Sequence, residues 1–201
     1  MLKKFLSIVL LVMTLLCNTA MAGTENPRPN SLRIIPIAIY GVFNTGQGIA
    51  YERQITKKGI IGLYLPVYYG KQHLPFGSEP PFVENGAPSF FFNPGVKFYL
   101  LDKKKATLAI GPSYFTTIGK GTHIQEGGGG VPYRRSEVNF IQNGLMANLH
   151  IRLNASPRFF MGFDFGMGPC FETRYKENDQ LVYTEPTSVY PLLNINLGFR
   201  F

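Results

Sequence analysis

"RFFMGFDFGMG", residues 158–168, changes character at every step: Phe159, Met161, Phe163, Phe165 and Met167 are bulky and apolar, while Gly162, Asp164, Gly166 and Gly168 are small or charged. A period of two places alternate residues on opposite sides of a strand. One face of this strand is a row of rings and thioethers and the other is nearly bare. The fold turns on which of the two is buried.

The alternation recurs along the chain. Eight period-2 runs bounded by turn residues lie near 32–42, 46–56, 60–70, 88–101, 106–118, 137–153, 158–172 and 188–201, and no amphipathic helix competes with them. The fourth run sets Phe90, Phe92, Pro94, Val96, Phe98 and Leu100 against Phe91, Asn93, Gly95, Lys97 and Tyr99; the last sets Leu193, Ile195, Leu197, Phe199 and Phe201 against Asn194, Asn196, Gly198 and Arg200. The connections "TKKG" (56–59), "DKKKA" (102–106) and "NASP" (154–157) are tight, and the link around Asn44-Thr45-Gly46 is short. Segments 71–87, 119–136 and 173–187 are long and hold most of the Gly, Pro, Glu and Asn. Short turns at one end, three long mobile loops at the other and both chain ends on the short-turn side predict an all-β fold. It is a closed, antiparallel, eight-stranded transmembrane β-barrel of up-and-down meander topology.

A soluble lipocalin-like carrier would turn the apolar face inward around a ligand, whereas a membrane barrel turns it toward lipid. Glycine, asparagine and lone charges make a poor soluble exterior, which normally uses Lys and Glu freely. Charged residues are 16% of this chain and many fall in turns and loops, so the walls are nearly free of them. The Phe and Met row is therefore read as facing hydrocarbon and the Gly and Asp row as facing the lumen. In the hairpin around 154–157, pairing Leu153 with Phe159 sets Ile151 opposite Met161 and makes His150 and Asp164 diagonal neighbours. A slip of one residue would mix the faces.

Lys3 and Lys4, an apolar run from Phe5 to Cys17 and Ala20-Met21-Ala22 before Gly23 read as a secretory signal peptide over 1–22, leaving 23–201 as the barrel domain. The run is shorter than the roughly 20 residues of a spanning helix. Lipidation at Cys17 is disfavoured because no small residue precedes it. Removing the signal takes two lysines from the formal charge of +8 and leaves Cys170 as the single cysteine, so no internal disulfide is expected.

Glu52, Lys97, His150, Arg152, Asp164 and Arg200 fall on the inward face and are read as an interior polar network, since buried charges must be paired. His150 and Asp164 could alternatively be a proton-transfer pair, though the pattern places no serine with them. An enzyme at the outer rim would need His73, His123, Ser136 or Ser188 to converge, and no Ser/His/acid signature has a useful spacing. Three scattered histidines and one cysteine suggest no metal centre, and no cofactor is expected. Lys57, Lys58 and Lys103–Lys105 sit in the short turns and Glu79, Glu84, Glu126, Glu137, Glu172, Glu177, Asp179 and Glu185 in or beside the long loops. This polarised charge argues against nucleic acid as a partner, and Arg134-Arg135 is the best local candidate for a lipid phosphate. Arg53 shares the lipid face with Ile49, Tyr51 and Ile55, close enough to the periplasmic turn to reach headgroups. Pro36, Pro66, Pro94, Pro112, Pro169 and Pro191 fall within strands, which predicts bulges or early strand ends.

"NINLGFRF" (194–201) looks like the C-terminal signal read by the outer-membrane barrel assembly machinery, carried by Phe199 and Phe201. With "IAYERQITKKGIIGLYLPVYYG" (49–70) and "AIGPSYF" (109–115), the chain resembles the small outer-membrane barrels of Bacteroidota, a family of unknown function distantly similar to OmpA/OmpX-type barrels. The resemblance implies a fold and an outer-membrane address and supplies no activity. The expected protein is a monomer with a filled lumen, in contact with outer-membrane lipids and acting structurally or through its extracellular loops. The alternatives are a barrel-embedded lipid-modifying or proteolytic enzyme and a soluble periplasmic carrier.

Overall fold

The computed structural model describes residues 29–41, 44–56, 59–72, 87–102, 105–125, 134–178, 180–185 and 187–201. Ten strands are present among them: β1 (Asn30–Tyr40), β2 (Asn44–Gln54), β3 (Ile61–Gln72), β4 (Pro88–Phe92), β5 (Gly95–Asp102), β6 (Ala106–Gln125), β7 (Arg134–Asn154), β8 (Phe159–Glu177), β9 (Gln180–Glu185) and β10 (Ser188–Arg200). β4 and β5 both lie between β3 and β6 and form one interrupted stave; β9 pairs with the upper part of β8 and leads into β10. β10 pairs antiparallel with β8 on one side and β1 on the other. The result is a closed, antiparallel, eight-stranded barrel without an open edge along its body. The signal-peptide reading of residues 1–22 lies outside the described residues.

Side-chain orientation follows the pleat. Ile34, Leu100, Phe159, Met167 and Leu197 are exposed on the outer surface, while Glu52, Lys97, Asp164, Asn194 and Asn196 are buried inside. The opening stretch has Phe159, Met161, Phe165 and Met167 outside and Asp164 inside, with Phe160 also turned inward. A closed barrel with an apolar exterior and an ionic interior is built for hydrocarbon, because in water the whole outer row of aliphatic and aromatic side chains would stay hydrated. Tyr51 departs from the parity reading. It is only 2% exposed, and its hydroxyl donates to Asn30 Oδ1 at 2.7 Å.

The short turns are held locally. Thr56 Oγ1 accepts from the backbone N–H groups of Ile60 (2.8 Å) and Ile61 (3.0 Å), and Gly59 takes a left-handed φ of 67° that its lack of Cβ permits. In the β7–β8 turn, Ser156 Oγ accepts from the Phe159 N–H at 3.0 Å. The register of that hairpin differs from the expected one by two residues: Leu153 faces Met161, Ile151 faces Phe163 and His150 faces Asp164 directly. An even shift preserves both faces, so alternation alone could not distinguish the two.

Two of the expected loops are largely strand. β6 runs on to Gln125, β7 begins at Arg134 and β8 continues to Glu177, so most of 119–136 and 173–187 extends the sheet. The period-2 signal fades there because the sheet has risen past the apolar band and no longer needs one oily face. Most of the third long segment, residues 73–86, lies outside the described residues. The in-strand prolines behave unequally. Around Pro36, β1 slips register against both neighbours, between Ile34 and Ile37 on one side and Ile35 and Ala38 on the other. Pro94 lies in the break between β4 and β5, while Pro112 pairs regularly with Ala147 and Pro169 with Val189.

Candidate functional site: the filled lumen

The barrel interior has two tiers. The lower one, toward the short turns, centres on Glu52, whose alternation on β2 turns it inward. Its Oε2 accepts from Lys97 Nζ of β5 at 2.8 Å and from the Arg33 guanidinium of β1; its Oε1 accepts from the Tyr99 hydroxyl and the Arg152 guanidinium of β7. Four strands meet on one carboxylate. Asp164 on β8 is the second anion. Its Oδ1 lies 2.8 Å from His150 Nδ1 and 3.5 Å from Arg33 Nη1, and its Oδ2 accepts from the Tyr64 hydroxyl at 2.9 Å and Asn196 Nδ2 at 3.1 Å.

Aromatic rings complete the shell around the cations. Lys97 Nζ lies 3.6 Å from the centroid of Tyr64, and the guanidinium carbons of Arg152 and Arg33 lie 4.4 and 5.2 Å from the ring of Phe160. Such faces attract a desolvated cation. Both arginines leave Nε without a hydrogen-bond acceptor among the described residues. Arg200 stands apart: it is half-buried at the lower rim, donates to Asn154 Oδ1 at 2.7 Å and has its guanidinium 5.4 Å from Phe160. Of the six residues the sequence pointed to, five gather in the lower tier and Arg200 lies beneath it.

The upper tier is aromatic. Tyr40 stacks on Phe91 (4.9 Å between centroids), Phe91 on Tyr190 (5.6 Å) and Tyr190 on Phe115 (4.5 Å). The hydroxyls are satisfied locally, Tyr40 with Ser89 at 3.0 Å and Tyr190 with Thr117 at 2.9 Å. Cys170 is buried in the same cluster.

Chemically, this interior holds charges in place. The space enclosed by Arg33, Lys97, Thr107, His150 and Arg152 does not admit a water-sized sphere. His150 and Asp164 touch, yet no serine hydroxyl is among their partners in the described residues. Of the rim candidates among the described residues, two are neighbours and one stands apart. His123 pairs with Ser136 near the top of the β6–β7 ladder, whereas Ser188 faces Cys170, which in turn faces Gly144, well below Ser136. His73, Lys57, Lys58, Lys103, Lys104, Glu79, Glu84, Glu126 and Asp179 lie outside the described residues. Arg134 and Arg135 occupy the first positions of β7, opposite Gln125 and Ile124. No group of three or more potential metal ligands occurs among the described residues.

Sequence reasoning missed Arg33, although Leu32 and Ile34 on the lipid face already turned it inward. The signal was masked by the apolar residues that follow, "IIPIAIY" (34–40), where the bulge at Pro36 makes both faces read alike. Phe160, whose ring floors the lower tier, was hidden beside Phe159 for the same reason.

No protein-family model and no curated protein sequence matches the chain. Solved structures do. A major outer membrane protein from Thermus thermophilus aligns with a TM-score of 0.55 at 12% identity, over 86% of this chain and 99% of that one. Ail, the attachment invasion locus protein of Yersinia pestis, aligns at 0.49 with 10% identity over 87% and 99%. Neisserial surface protein A aligns at 0.46 with 7% identity over 86% and 95%. What the chain shares at this level of identity is a fold, and that fold is the eight-stranded outer-membrane β-barrel.

Proposed function

We propose that this chain is an outer-membrane barrel that works through its surfaces, with residues 1–22 a removed signal peptide and 23–201 a monomeric barrel domain. Its outer face contacts lipid, and a projecting wall of sheet forms the extracellular interaction surface. The wall carries the reading. β3 has 12 residues, close to the 9–11 of a membrane-spanning strand, whereas β7 has 21. At about 3.3 Å per residue the wall rises roughly 30 Å further along the strand than β3 does among the described residues. Lys120 pairs with Glu137, and Arg174 with Glu172 at 2.7 Å, at exposed positions, while Val138, Phe140 and Tyr175 pack together on its buried side. Above Gly119, β6 pairs only with β7, and β9 pairs only with β8, among the described residues.

Phe199 and Phe201 fit an assembly signal read by the barrel assembly machinery. Phe199 packs on Phe159 at 5.1 Å, and the Phe201 N–H donates to the Asn30 carbonyl at the β1–β10 seam. Membrane fractionation with a heat-modifiable gel shift tests the address, and an epitope inserted between Gln125 and Arg134 tests the orientation. Antibody binding to intact cells is expected, and binding only after permeabilisation would reverse the topology. The enzyme alternative predicts that His73→Ala, His123→Ala or His150→Ala abolishes lipid or protease-substrate processing; the filled lumen predicts no such loss.

A further inference from the structure

The geometry points to a site for a phosphate-bearing lipid of the outer leaflet on the exterior of β1–β3, resting on the outer-membrane reading above. The bulge at Pro36 bends β1. Beside it opens a furrow of about 440 Å³, lined by Pro36, Ile37, Ile39, Gln47, Tyr69 and Lys71 with the backbone of Ala38, Gly46 and Gly70 as its floor.

Two observations set its occupant. The first is depth. Across the three strands Ile34 faces Ile49 and Ile49 faces Val67, a wholly apolar row; two rows further from the short turns Ile39 faces Thr45 and Thr45 faces Lys71. Between them the exposed Tyr69 packs against the half-buried Phe90 at 5.1 Å, an outward aromatic pair of the kind that marks a membrane interface. The furrow therefore crosses from hydrocarbon into the headgroup layer. The second is charge. Lys71 is exposed at the upper rim and makes no ion pair among the described residues. An acyl chain along Ile37, Ile39 and Tyr69 with a phosphate at Lys71 satisfies both halves.

The full chain is refolded into phosphatidylcholine nanodiscs containing a small fraction of lipid A or of dephosphorylated lipid A, and the lipid retained after detergent extraction is counted by native mass spectrometry. Preferential retention of the phosphorylated form is expected, with a drop of about fivefold for Lys71→Gln, retention by Lys71→Arg, and no change for Lys120→Gln, whose charge sits on the wall. Equal retention of the two lipids, or by wild type and Lys71→Gln, overturns the inference. Failure of the wild type to insert as a heat-modifiable band overturns the outer-membrane reading instead.

Discussion

Glu52 shows what a single residue must do in this interior. Three cations, Arg33, Lys97 and Arg152, converge on a carboxylate that is 2% exposed. Removing one partner of a buried ionic group leaves the others uncompensated, a loss of about 3–5 kcal/mol. Glu52→Gln, which keeps the shape and deletes the charge, is expected to lower the unfolding free energy by that amount in denaturant titrations in detergent; an unchanged midpoint would mean that the cations hold their places without it. Gly198 is under a different constraint. A Cβ there would lie 2.0 Å from the Phe160 ring, so Gly198→Val forces the floor of the lower tier to move. Overpacking of this kind costs about 1–3 kcal/mol. Trimming the ring in the double variant with Phe160→Leu is expected to restore part of the loss, read as recovery of the unfolding midpoint.

At the scale of the strand, depth decides what the lipid face tolerates. Leu149 is exposed on β7 five positions above Asn154, within the apolar band. Leu149→Arg is expected to cost about 2–4 kcal/mol, measured by the same titration, whereas Arg53→Ala, at the interface beside the 56–59 turn, should change stability by less than about 0.5 kcal/mol. The strands also show how far alternation can be trusted. In β1 the exposed positions are even up to Pro36 and odd from Ile37 onward, and in β8 odd positions are outward up to Phe171 but inward at Thr173 and Tyr175. Each switch coincides with a register slip, since one extra residue reverses the parity of all that follow. For that reason Arg33 and the wall above Phe171 escaped a reading that found Glu52, Lys97 and Asp164.

The whole molecule is a plugged cylinder with one side raised. An ionic tier below and an aromatic tier above fill the lumen among the described residues, so planar bilayers containing the protein are expected to show no steady conductance. The double variant Phe115→Ala and Tyr190→Ala, which removes one end of the ring stack, is expected to admit brief small openings; a steady open channel in the wild type would contradict the filled lumen. What the sequence by itself determined is what local patterns encode: strand number, antiparallel order, the turn-bearing end, and an apolar face on each strand that only hydrocarbon can satisfy. Only the tertiary structure decided the register of the β7–β8 hairpin, the height of the wall, and the meeting of β1, β2, β5 and β7 on one carboxylate. The physical reason is that a period of two leaves every even shift equally acceptable to both faces. Contacts such as Arg33 with Asn196, 163 positions apart, come into being only when the closing barrel selects one shift and each bulge has set the parity beyond it.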